Sequence, residues 1–163
     1  MKKIILSAAV LFSSIITFAQ TMELPTTIVR DISGKQVPFN EAFEKGKVTL
    51  VSFWATWCIP CKQEIKNIKT KLPDWKKDAD FNYMTVSIDD SRATAMVKTY
   101  SKSQGWDFPV YLDPNSDLKR SLNFQNVPFT MIVDKEGKIV MQHTGYEEGS
   151  ENDLIKKIKE YTK

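Results

Sequence analysis

From Lys47 to Trp54 (KVTLVSFW) β-branched and aromatic residues follow one another with hardly a polar break, the pattern of a strand buried on both faces. After Pro60 the period changes. Ile65, Ile68 and Leu72 recur at helical spacing, Lys62, Lys66, Lys69 and Lys71 fall elsewhere on the turn as a solvated face, and Pro73 predicts the end. Phe81 to Ile88 (FNYMTVSI) reads as a second strand. Ser91 to Gln104 predicts a helix with Ser91 as N-cap and Gly105 just past its end. Phe108 to Leu112, entered through Pro109, predicts a short strand, and Asn115 to Leu122 a short helix. Phe129 to Val133 and Lys138 to His143 predict a hairpin across Asp134-Lys135-Glu136-Gly137. Ser150 with Asp153 predicts the capped start of a last helix whose stripe is Leu154, Ile155, Ile158 and Tyr161. Upstream, Thr26 to Val37 reads as a hairpin around Ile32-Ser33-Gly34-Lys35. This order implies an α/β fold: one mixed sheet with helices on both faces and no linker dividing it.

The chain has 163 residues, 42% of them hydrophobic and 26% charged, with 6 Gly and 7 Pro, which excludes disorder, collagen and a multi-pass membrane protein. Its first residues change the picture. Lys2 and Lys3 precede a mostly apolar run from Ile4 to Phe18, and Thr17-Phe18-Ala19 has the small-x-small form of a signal-peptidase site. Residues 1–19 are therefore expected to be a signal peptide and residues 20–163 one domain. The alternative is an uncleaved anchor, since Ile4 to Met22 gives 19 uncharged residues. Either way the remainder is exported, and periplasmic. The net charge of +3 falls to +1 once Lys2 and Lys3 are removed, too balanced for a nucleic-acid partner.

Export makes a structural disulfide the default for two cysteines. Cys58 and Cys61 enclose only two residues, however, and so short a loop constrains almost nothing in the unfolded chain. The pair is kept for chemistry. Trp54-Ala55-Thr56-Trp57-Cys58-Ile59-Pro60-Cys61 lies where a buried strand turns into a helix, and the unpaired N–H groups of a first helical turn favour a thiolate. Lowering a thiol from ~8.5 to ~7 takes about 2 kcal/mol, which one helix terminus can supply. Cys58, at the exposed edge, is the expected nucleophile. Cys61, one turn in, is shielded and resolves a mixed disulfide at Cys58. Zinc wants four ligands, and the only histidine, His143, is 82 residues beyond Cys61 on a predicted strand and reads as a surface residue. Peroxide chemistry needs a Pro and a Thr before the attacking cysteine, and no Pro precedes Cys58 there. A thiol peroxidase and a non-catalytic thiol metallochaperone are the rival readings. No cofactor is expected.

Phe53-Trp54-Ala55-x-Trp57-Cys58-x-Pro60-Cys61-Lys62 resembles the active-site motif of the thioredoxin superfamily, and Val127-Pro128-Phe129-Thr130 its second signature. The resemblance runs from Leu24 to the C-terminus. An N-terminal hairpin (Leu24 to Asn40) and a helix–strand insert (Arg92 to Asp113) bring the chain closest to TlpA/ResA-type exported thiol–disulfide oxidoreductases. It implies a thioredoxin-like fold, a monomer, a redox-active Cys58–Cys61 disulfide, and a cis Pro128 facing it. Trp57, Val127 and Pro128 would contact substrate. It also implies disulfide-containing exported proteins as substrates, apocytochrome c among them, and electrons from a membrane thiol reductant of the DsbD/CcdA kind. Thioredoxins carry a buried Asp six residues before the first cysteine as proton relay, and Ser52 stands there instead. ResA-like members place a Glu three residues after the second cysteine. Glu64 holds that position, one turn from Cys61.

Overall fold

The apolar run after Lys47 becomes a strand, Val48–Trp54, buried at every position. It is buried because it is hydrogen-bonded on both sides and covered on both faces. The computed structural model describes residues 22–163, so the expected signal peptide, residues 1–19, lies outside the described residues. Numbered along the chain, the strands are β1 (Met22–Glu23), β2 (Ile28–Asp31), β3 (Gln36–Pro38), β4 (Val48–Trp54), β5 (Phe81–Ser87), β6 (Val110–Leu112), β7 (Phe129–Val133) and β8 (Lys138–Thr144). The helices are α1 (Ile59–Asp78), α2 (Thr94–Ser103), α3 (Asp117–Ser121) and α4 (Glu151–Thr162). Together the strands form one mixed sheet in the order β1-β8-β7-β4-β5-β6-β2-β3. Central β4 runs parallel to β5 and antiparallel to β7, and β6 joins the insert to the N-terminal hairpin through Arg30↔Leu112.

Alternation along β4 sorts the core. Val48 and Leu50 pack with Ile68, Leu72 and Trp75 of α1 and with Leu154, Ile155 and Ile158 of α4. Val51 and Phe53 point the other way, into Met84, Phe129, Met131, Phe39 and Leu118 of α3. Trp54 ends the strand in a third cluster with Cys58, Cys61, Ile65 and Val97 of α2. The expected mixed sheet, with helices on both faces, a leading hairpin and a helix–strand insert, is what the chain forms.

Several element ends differ from the sequence expectation, each for a physical reason. Pro73 does not end α1, which continues to Asp78. An interior proline costs about 3 kcal/mol. Burying Trp75 beyond it contributes roughly 4 kcal/mol, at ~25 cal/mol per Å² over ~150–250 Å², and the Ala79 N–H still reaches the Trp75 carbonyl. Tertiary packing wins. Asp90, not Ser91, is the cap before α2: its Oδ1 accepts from Arg92 N at 2.9 Å and opens a 3₁₀ turn, Ser91–Ala93. Helix α3 starts late because Asp113 reaches forward to accept from Leu118 N and Lys119 N. Ser150 makes no side-chain cap; its backbone is already helical (φ −62, ψ −23), whereas capping needs an extended residue. Glu151 Oε2 takes the Gly149 N–H instead, at 2.9 Å.

Pro73 is exposed and lacks the N–H that would pair with the Lys69 carbonyl. Pro73→Ala restores that bond, so the denaturant midpoint should rise by the equivalent of about 1–3 kcal/mol. An unchanged or lower midpoint would show that the proline's stiffening of the unfolded chain matters more.

Candidate active site

Cys58 is the N-cap of α1 and accepts the Cys61 N–H at its sulfur (3.3 Å). The two cysteines are joined as a disulfide, with Cα atoms 5.4 Å apart. Pro60 sits in the first turn, where a missing N–H forfeits no bond. Sequence reasoning put Cys58 at an exposed edge. It is the more accessible of the two, yet only 4% exposed against 0% for Cys61, because Trp54, Ile65 and Val127 pack around the pair. Exposure belongs to its neighbours: Trp57 is 68% and Ile59 75% exposed, an apolar rim beside the sulfur.

The loop carrying Trp57 is clamped at Thr56. Asp89, just past the end of β5 and buried, accepts from Thr56 N (2.8 Å), Thr56 Oγ1 (2.7 Å) and Ser87 Oγ (2.7 Å). From α1, the Lys62 Nζ donates to the Thr56 carbonyl at 2.9 Å and lies over the Tyr100 ring. Of the lysines read as a solvated face, Lys62, Lys69 and Lys71 are half-buried and hydrogen-bonded across elements; only Lys66 fits that description. Sequence reasoning missed Asp89. Its partner lies 33 residues away, so no local spacing could show it.

Val127–Pro128 is a cis bond, as the thioredoxin resemblance implies. Phe129 pairs with Phe53, so buried Pro128 lies beside the end of β4 where the cysteine loop begins. Val127 packs against the cluster that holds both cysteines.

Glu64 is inside. It is 2% exposed, its Oε1 accepts from Thr130 Oγ1 at 3.0 Å, and its Oε2 has no hydrogen-bond partner. Thr130 is the cross-strand partner of Ser52, so the carboxylate from α1 reaches the same patch of sheet as the residue at the thioredoxin Asp position. Ser52 is fully buried and accepts from Tyr83 Oη at 3.2 Å; burial holds that phenol well above its ordinary range. Burial likewise pushes the Glu64 carboxyl up to about 7, with the Thr130 hydroxyl opposing and the Glu151 charge adding to the rise. Glu151, also buried, accepts from Lys71 at 2.6 Å and from Tyr146 Oη at 3.2 Å.

A family model described as AhpC/TSA matches residues 16–142. The chain belongs to the AhpC/TSA family. The thiol-disulfide oxidoreductase ResA of Bacillus thuringiensis subsp. konkukian (strain 97-27) is 26% identical over 137 residues, 83% of this chain and 76% of that one. ResA of Bacillus subtilis (strain 168) is 28% identical over 129 residues, 79% of this chain and 69% of its own length. The solution structure of a thioredoxin-like protein from Porphyromonas gingivalis is 41% identical, with a TM-score of 0.77 over 85% of this chain and 91% of that one. The fold is thioredoxin-like, and this member of the family is a thiol–disulfide oxidoreductase by enzyme class.

Because the folded chain holds the Glu64 proton more tightly than the unfolded chain, folding is favoured while that proton is bound. Stability from this group therefore falls as pH rises from about 4.5 to about 7 and is level above. At ~1.4 kcal/mol per unit the total is about 3 kcal/mol. Glu64→Gln should gain stability over wild type between pH 5 and pH 8, up to that amount, read from denaturant midpoints. Parallel curves would mean that Glu64 ionises as freely as in the unfolded chain.

Proposed function

We propose that this chain reduces disulfides in exported proteins by cycling Cys58 and Cys61 between dithiol and disulfide. The observation that carries the reading is a C-x-x-C disulfide capping α1, with an apolar rim in front of it and a buried carboxylate one turn behind. In the reduced enzyme the first-turn N–H groups favour a Cys58 thiolate. That thiolate attacks one sulfur of the substrate disulfide and releases the other as thiolate. Glu64 then takes the Cys61 proton, and the Cys61 thiolate attacks Cys58 Sγ, freeing the second substrate sulfur. Two electrons pass from enzyme to substrate, and a membrane thiol reductant of the DsbD/CcdA kind returns them.

Direction is read from the middle pair, Ile59-Pro60, which lacks the His of strongly oxidising relatives, so no donor there stabilises the reduced form. Trp57 and Val127 supply an apolar seat for an extended substrate segment beside Pro128. Outside the helices and strands, Val127 makes no backbone hydrogen bond among the described residues, which leaves its peptide groups for that segment. Export rests on the N-terminal segment. Among the described residues, no helix is long and apolar enough to cross a membrane. The residues before Cys58 lack the proline that peroxide chemistry wants.

In the reduced protein, iodoacetamide near neutral pH should alkylate Cys58 much faster than Cys61. Cys58→Ala should abolish reduction of insulin disulfides, whereas Cys61→Ser should accumulate mixed disulfides that identify the substrates. A faster Cys61 would reverse the two roles. Glu64→Gln keeps the shape and removes the proton traffic, so turnover should drop roughly 10- to 100-fold with a displaced pH profile. Wild-type kinetics from pH 6 to 8 would leave the proton to water alone.

A further inference from the structure

Glu64 rests on the middle of a polar row that crosses the sheet. Ser52 on β4, Thr130 on β7 and His143 on β8 are successive register partners, so their side chains share one face. It is the face under α1, since Thr130 Oγ1 donates to Glu64 there. Ser52 and Thr130 are buried and His143 is exposed; the row leads from the core to the sheet's margin. Beside it a crevice of about 120 Å³ is lined by Glu64, Met141, His143, Ser150, Asp153 and Leu154. Neither the cysteines nor Trp57, Val127 or Pro128 lines it. Its exposed members are His143 and Asp153, while at its inner end Glu64 is 2% exposed and its Oε2 is unpartnered.

We propose that this crevice is the passage through which Glu64 exchanges its proton with solvent, and that His143 passes the proton on at the outer end. The proposal rests on the reading of Glu64 as the base for Cys61. During resolution the substrate is held covalently at Cys58 and lies over the cysteine face. When the Cys61 thiolate has displaced it, Glu64 is left with the proton from Cys61, and the released substrate thiolate takes one from water. Glu64 accepts that proton only when ionised. A Glu64 still protonated when the mixed disulfide forms must first release its proton to bulk, while the substrate covers the cysteine face, and resolution waits on that release. A carboxyl this deeply buried gives up a proton only through groups that bridge it to water. At about 120 Å³ the crevice is wide enough to admit water as far as Glu64.

The titratable groups around Glu64 are Tyr83 on β5 and Glu151 on α4; Asp153 on α4 and His143 on β8, which line the crevice with it; and, in the reduced protein, Cys61 one turn before it on α1. Lys71 occupies Glu151. Of these residue types histidine is the one that both takes and gives a proton near neutrality, on two different nitrogens. His143 is thus a positioning and relay residue, apart from the groups that touch substrate.

The test is single-turnover resolution of a mixed disulfide preformed at Cys58 of the otherwise wild-type chain with a peptide thiol, followed from pH 6 to 8. His143→Ala should slow resolution about 5- to 10-fold and flatten its pH profile, and free imidazole should restore the rate. Ser150→Leu fills the crevice without removing a cap, because Ser150 makes none. It should slow resolution similarly, without rescue by imidazole. Wild-type rates in both variants would overturn the passage, as would slowing in His143→Ala that imidazole does not relieve. Glu64→Gln in the same assay separates the two levels: a slow Glu64→Gln beside a wild-type His143→Ala rejects the passage alone, and an unslowed Glu64→Gln rejects the base and the passage together.

Discussion

The peptide groups of Val48–Trp54 are paired with β5 on one side and β7 on the other, so the end of β4 has no freedom to shift. After only four residues, 55–58, the chain must enter α1, whose apolar stripe is fixed by the same strand's Val48 and Leu50. Cys58 is caught between these two demands and becomes the cap of the helix. The register that pairs Phe129 with Phe53 also sets Pro128 beside the cysteine loop and Thr130 beside Ser52. The thiols, the proline and the floor on which Glu64 rests are all consequences of how one strand is held.

That floor has an energetic cost. A protein selected only for stability would not put a carboxylate against a sheet with one oxygen unpartnered. Thr130 offers one hydroxyl, enough to orient the group but too little to hold it ionised against burial. Glu151, which carries Lys71, Tyr146 and the Gly149 N–H, shows how this chain treats a buried carboxylate kept for structure. The two acids differ in partners, and so in proton affinity. One anchors α4 while the other is left free to titrate.

The strands were legible because their signal is local. KVTLVSFW and FNYMTVSI declare buried strands by composition alone, and the order of elements then limits the sheet to few arrangements. Helix ends were less so, because what decides them is remote: Pro73 is overruled by the burial of Trp75, and Asp113 caps α3 from five residues back. Cys58 and Cys61 announce themselves by spacing. Glu64 does not, standing among lysines like any surface residue, and only the likeness to ResA-type sequences marked it. Asp89, Thr130 and His143 gain their places through pairings over 33, 66 and 13 residues, and no window along a sequence contains a register.

The joint between β6 and β2 has a further consequence. Strand β6 reaches the sheet from the insert, and the N-terminal hairpin covers its outer side. A chain that kept the insert and lost the hairpin would present a bare row of donors and acceptors along Val110–Leu112, ready to template pairing with another molecule. A chain that kept the hairpin alone would bare the edge of β5 instead and leave two short strands without the β6 partner they pair with, too few to be stable in water by themselves. The two additions to the thioredoxin core are therefore structurally interdependent. Deletions or chimaeras in this family should move both or neither, and aggregation is the penalty for separating them.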